Sequence, residues 1–162
     1  MIFLIGCDHR AAQTYAEGSG LDDPENNTQK EFKELLIKII RTFYPELVAE
    51  EYDPDILKLQ RRRSVAFEVA SDLNICHRFC EPSPSDRCKR GIGDDLPFFG
   101  PCVPGDWYDR IANKQESFRH DVAHRWPIRE EFWIEQLGED IHKSILFLCG
   151  AGHRETFRAI SL

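Results

Sequence analysis

Two short apolar runs constrain this chain more than any other feature. One lies at residues 2–5 and the other at 144–149, so they bracket almost the whole sequence. Each is fully apolar or nearly so, and each meets a glycine, Gly6 or Gly150. Runs of that length without polar alternation read as strands buried on both faces, the signature of a parallel sheet covered by helices. Between them, strand and helix signals alternate. Phe32, Leu35, Leu36, Ile39, Ile40 and Phe43 recur at helical spacing, and Pro45 ends that helix. Residues 47–50 with Glu51 read as a second strand, closed by a turn at 52–55. Residues 60–73 suit a second helix and 74–79 a third strand.

The remaining segments are read from their punctuation. Residues 8–28 carry glycine, proline and polar clusters and are expected to be mainly loop. Residues 81–105 hold most of the prolines and are expected to form a long irregular segment, the kind that serves as a lid, a binding segment or a clip. Asp106 can cap a surface helix reaching about His124. Pro127 precedes another helix over 128–137, with Gly138 as its natural stop. A last strand and a short closing helix complete the chain. The expectation is an α/β fold: one three-layer domain spanning 1–162, with a mostly parallel central sheet and helices on both faces.

Composition fits that picture. The chain has 162 residues, 41% hydrophobic and 30% charged, with 21 basic against 28 acidic residues and a net charge of −7. An acidic balance disfavours nucleic acid and anionic membrane as partners, because both need a basic face. The basic run at 61–63 is expected to be the solvated start of the second helix. No apolar run approaches the roughly 20 residues of a membrane span, and the five apolar residues before Asp8 are not expected to act as a secretory leader. The expected compartment is the cytoplasm, with the six cysteines reduced.

The chemistry is carried by the residues just beyond the two terminal strands. The first strand runs into Ile5-Gly6-Cys7-Asp8-His9 and the last into Cys149-Gly150-Ala151-Gly152-His153. Chance predicts roughly 0.4 Gly-x-x-His matches for this composition, and two occur, both directly after the most apolar strands. Glycine lets the chain leave a strand sharply, so each histidine can stand at the carboxyl end of the sheet, where open parallel sheets hold their ligands. The second strand ends in Glu50 and Glu51. Adjacent residues point to opposite faces, so only one of them is expected to face that crevice. Two histidines and one glutamate suit a catalytic divalent metal with a position left for water. The other reading is that each histidine merely hydrogen-bonds a turn.

The pattern resembles the TraB / ChaN / Tiki / erythromycin-esterase-like superfamily, whose members carry two Gly-x-x-His motifs on an α/β fold. Pro45-Glu46-Leu47-Val48-Ala49-Glu50-Glu51 is similar to that family's stretch after the first helix, and the likeness picks Glu51 over Glu50. Arg129-Glu130, followed by Phe132, Trp133 and Leu137, resembles the arginine-acidic pair that opens a helix before its last strand. Residues 147–153 resemble its closing strand and turn. The resemblance implies a metal-dependent hydrolase, since Tiki-like members are metal-dependent proteases and the erythromycin esterases are hydrolases. ChaN-like members bind haem instead, so a ligand-binding, sensing or protein-interaction module on the same fold stays open.

The implied metal ligands are His9, Glu51 and His153, and the implied catalytic residues are Glu51, Arg129 and Glu130. The substrate would be a small molecule or a peptide. Arg129 has the forked donors to meet a carboxylate or a developing oxyanion, or it pairs with a glutamate on its own helix. Asp8 can orient a ligand histidine or serve only the turn. His77, near the end of the third strand, can line the same crevice. Cys76, Cys80, Cys88 and Cys102 have no standard zinc spacing, and buried reduced thiols are the simpler expectation. His120 and His124 stand at i, i+4 without the intervening glutamate of a metalloprotease helix, and His142 is expected to be exposed. Neither a phosphate loop nor a Gly-x-Ser-x-Gly elbow occurs.

Overall fold

The structure is a computed structural model and describes residues 1–7, 12–21, 23–92 and 124–150, together with positions 153 and 157. Four parallel strands form the main sheet: β1 (Ile2–Cys7), β3 (Leu47–Glu50), β5 (Cys76–Phe79) and β6 (Ile145–Gly150), in the order β1-β6-β3-β5. The two apolar runs pair directly, from Ile2 opposite Ile145 to Cys7 opposite Gly150. β3 takes the other side of β6, with Leu47 opposite Ile145 and Glu50 opposite Leu148. β6 is therefore central, and all six of its residues are buried. Its unbroken apolar character follows from that position.

Alternation along the strands divides the core in two. Val48, Leu146 and Leu148 point to one face, where α1 (Asn27–Phe43) and α3 (Val65–Asp72) pack on them. Leu47, Ala49, Ile145, Phe147 and Cys149 point to the other, against Phe132, Trp133 and Leu137 of α5 (Trp126–Leu137) and against Phe157. α1 buries Phe32, Leu36 and Ile40 from its predicted stripe. Leu35 and Phe43 at the stripe's margin stay about half exposed. Tyr44 ends α1 in a left-handed conformation, its N–H returning to the Ile40 carbonyl, and Pro45 prevents continuation.

Several local expectations need correction. Residues 60–73 are not one helix. Residues 62–64 form β4 (Arg62–Ser64), which pairs antiparallel with β2 (Thr14–Ala16) inside the expected 8–28 loop. Arg62 is not merely solvated: its guanidinium donates to the Thr14 hydroxyl and carbonyl, both at 2.7 Å, and this holds the ribbon. Ser64 then caps α3 by accepting the Phe67 N–H at 3.0 Å. The 52–55 turn is the start of α2 (Pro54–Leu59), where Asp53 accepts the Asp55 and Ile56 N–H groups. The expected irregular segment 81–105 begins with α4 (Pro84–Arg90), capped by Ser83 and closed by Gly91 at φ 67°. Proline at a helix start and glycine at its end are boundary signals there. Residues 93–105, the expected helix from Asp106 to residue 123, and most of the closing helix lie outside the described residues.

The core carries its own test. Leu146→Ala, on the fully buried central strand, is expected to lower unfolding free energy by about 2–5 kcal/mol. Leu59→Ala, on an exposed helix end, should stay within about 0.5 kcal/mol. Urea unfolding midpoints check both.

Candidate functional site

The carboxyl ends of β3, β5 and β6 converge on a buried polar cluster. Glu51 follows Leu47 and Ala49 onto the α5 face and keeps the sheet going for one more bond, its N–H reaching the Leu148 carbonyl at 2.9 Å. Its Oε2 accepts the Gly150 N–H at 2.8 Å. Its Oε1 accepts from Arg129 Nη2 and lies 3.6 Å from His153 Nε2. Glu51 thus meets the last strand, His153 and α5 at once. It is only 7% exposed, so its charge needs these partners.

α5 supplies the rest because Trp126, Arg129, Glu130 and Trp133 recur at i, i+3, i+4 and i+7 and so share one face. Glu130, fully buried, places Oε1 2.7 Å from His153 Nδ1. A carboxylate at Nδ1 orients the ring, as around ligand and catalytic histidines, and turns Nε2 toward Glu51. The imidazole is also walled by indoles. Trp126 lies over it at a ring separation of 4.0 Å, and Trp133 meets it nearly edge-on at 4.9 Å.

Sequence reasoning missed Glu81. It lies two residues beyond β5, after Cys80, and no local pattern singles it out. Glu81 Oε2 accepts from Arg129 Nη2 at 2.9 Å and from the Trp133 indole N–H at 3.2 Å, while Oε1 accepts from Arg87 of α4. The carboxylates of Glu51 and Glu81 and the guanidinium groups of Arg129 and Arg87 thus form one linked ionic cluster, and His153 joins Glu130 to it. Arg129 does not pair with its own helix neighbours alone, as one reading allowed; its guanidinium bridges Glu51 and Glu81.

Glu51, Arg129, Glu130 and His153 lie together, whereas His77 is not among them. Glu50 alternates onto the α3 face, where its Oε1 accepts the Ser64 hydroxyl at 2.6 Å and meets His77 Nε2 at 2.9 Å. Phe67 and Phe79 flank that imidazole. The Tyr52 hydroxyl beside this cluster is pushed well above its usual range, first by burial and then by Glu50. This second Glu–His pair ties β3, β5 and α3 together.

His9 and Asp8 lie outside the described residues, as do Cys102 and His120. Among the described residues no group of three or more His, Cys, Asp or Glu side chains gathers as a metal cage. Those residues fit two donors of the expected three. His153 Nε2 and Glu51 Oε1 are spaced as two ligands of one ion would be, given bonds of about 2.0–2.2 Å. His124 and His142 are exposed. Cys76 and Cys88 are exposed while Cys80 is buried, so these three do not form a clip. Burial raises the Cys80 thiol to about 12. Burial, reinforced by Glu51, also pushes Cys149 far above its usual range.

Comparison with protein-family models, with curated proteins and with solved structures finds no match.

The thiol environments predict selective labelling. A raised thiol pKa keeps the reactive thiolate scarce until the group is exposed. At pH 8 a maleimide should modify Cys76 and Cys88 in the folded protein, and Cys80 and Cys149 only after denaturation. Peptide mass mapping reads the order, and native labelling at Cys80 would contradict the packing described.

Proposed function

We propose that the chain is a metal-dependent hydrolase working at the carboxyl ends of β3 and β6 on a small-molecule or peptide substrate. One observation carries the reading: His153 is buried, fixed at Nδ1 by Glu130, and turns Nε2 toward Glu51 Oε1. A buried imidazole has a donor and an acceptor to satisfy, and this one is held between two carboxylates and two indoles beyond the end of β6. The likeness to the Gly-x-x-His superfamily supports the same reading.

His9, Glu51 and His153 would hold a divalent ion, which supplies Lewis acidity toward water and a carbonyl oxygen. The protein's own groups do the rest. Glu130 would orient His153 through Nδ1 so that Nε2 is the nitrogen offered to the ion. Arg129 presents guanidinium N–H groups to the negative charge that develops on a carbonyl oxygen as water adds to its carbon. The proton of that water would pass by way of the site's carboxylates to the departing nitrogen or oxygen. Trp126 and Trp133 screen the imidazole from solvent and strengthen these charges.

A second reading, ligand binding without turnover, is favoured by one contact. The Arg129 guanidinium already balances the buried Glu51 carboxylate without a further cation.

Metal analysis of protein purified without chelator, with a panel of peptide and ester substrates, separates the two. The expected result is about one divalent ion per chain, lost in His9→Ala and His153→Ala. Turnover should fall by about 10²-fold or more in Glu51→Ala. Absence of metal even after adding manganese, cobalt or zinc would overturn the metal-dependent reading. Ligand binding with no turnover in any member of the panel would support the receptor instead.

A further inference from the structure

One nitrogen of Arg129 serves two carboxylates. Nη2 donates to Glu51 Oε1 and to Glu81 Oε2. Glu51 Oε1 is also the oxygen nearest His153 Nε2. A divalent ion shared by His153 and Glu51 would need that same oxygen, and two cations cannot share it closely without strong repulsion. Glu81 offers the guanidinium another place to go. Its side chain is only 7% exposed, its Oε2 is fixed by the indole N–H of the fully buried Trp133, and its Oε1 is held by Arg87. Because Nη2 already contacts Glu81, the guanidinium can leave Glu51 without losing its charge partner.

Resting on the metal-dependent reading above, we propose that Arg129 gates the metal position and that Glu81 is the positioning residue that draws it aside. With Arg129 on Glu51, the guanidinium takes the place of the ion and the buried carboxylate is neutralised. With Arg129 on Glu81, Glu51 Oε1 and His153 Nε2 can act as ligands, and the guanidinium stands beside the ion. The metal competes with a side chain for its own ligand, so affinity is set by the balance between Glu51 and Glu81. Glu81 touches neither the ion nor the substrate; it acts through Arg129.

The test is a zinc titration of the full chain, followed by calorimetry, on wild type, Arg129→Gln, Glu81→Gln and the double variant, with circular dichroism confirming the fold of each. Removing the competitor should tighten zinc binding at least about tenfold in Arg129→Gln. Glu81→Gln should weaken it several-fold, because Arg129 then stays on Glu51. The double variant should behave like Arg129→Gln alone, since Glu81 acts only through the arginine. Arg129→Lys keeps the charge but loses the fork, and should fall between wild type and Arg129→Gln. Unchanged or weaker binding in Arg129→Gln overturns the gate. So does a Glu81→Gln effect that persists undiminished in the double variant, because that would be a through-space field. If none of the four proteins binds zinc, manganese or cobalt, the metal reading falls together with the gate. Wild-type binding that ignores Arg129→Gln removes the gate alone.

Discussion

A buried carboxylate at the tip of β3 organises the region around it. Glu51 is almost wholly removed from water, and an isolated buried charge costs several kcal/mol. Its partners come from distant parts of the sequence: the Gly150 N–H at the end of β6 and the Arg129 guanidinium on α5. Satisfying Glu51 therefore fixes the exit of the last strand and the rotation of α5 about its axis. Once Arg129 faces inward, its i+1 and i+4 neighbours, Glu130 and Trp133, face His153 and Glu81. A single charge requirement aligns three strand ends with one helix.

The doubled glutamate at 50–51 shows how strand geometry assigns different roles to identical side chains. Both are buried. Glu50 turns to the α3 face, where a cap serine and a strand histidine enclose it, and this pair joins neighbouring elements. Glu51 turns to the α5 face, where the surrounding groups are ionic and Arg129 has a second carboxylate within reach. The first environment has little freedom. The second holds one guanidinium between two acids, and Nη2 contacts both at once.

Much of the architecture was legible because it rests on periodicity. The apolar runs at the two ends, the α1 stripe and the strand at 47–50 all follow from burial on one or both faces. The alternation of Glu50 and Glu51 follows from the pleat. The features that escaped were tertiary in origin. β4 exists because Arg62 finds Thr14 across 48 residues, a pairing that no local pattern announces. α4 was hidden by its own boundary residues, since Pro84 and Gly91 read as irregular chain when they bound a short helix. In the site, Glu51, Arg129, Glu130 and His153 are legible from strand ends and motif likeness. Glu81 is not, because its role depends on an arginine 48 positions away. His77 stands near the right strand end but on the other face of the sheet.

The central claim is that Glu51 and His153 form part of a metal-binding hydrolytic centre whose charge Arg129 otherwise balances. The most direct measurement is a crystal structure after a zinc soak, with anomalous differences collected at the zinc edge. The predicted result is a peak bonded to Glu51 Oε1 and His153 Nε2, with the Arg129 guanidinium shifted onto Glu81. A map with no peak there, and Arg129 still on Glu51 at saturating zinc, would contradict it.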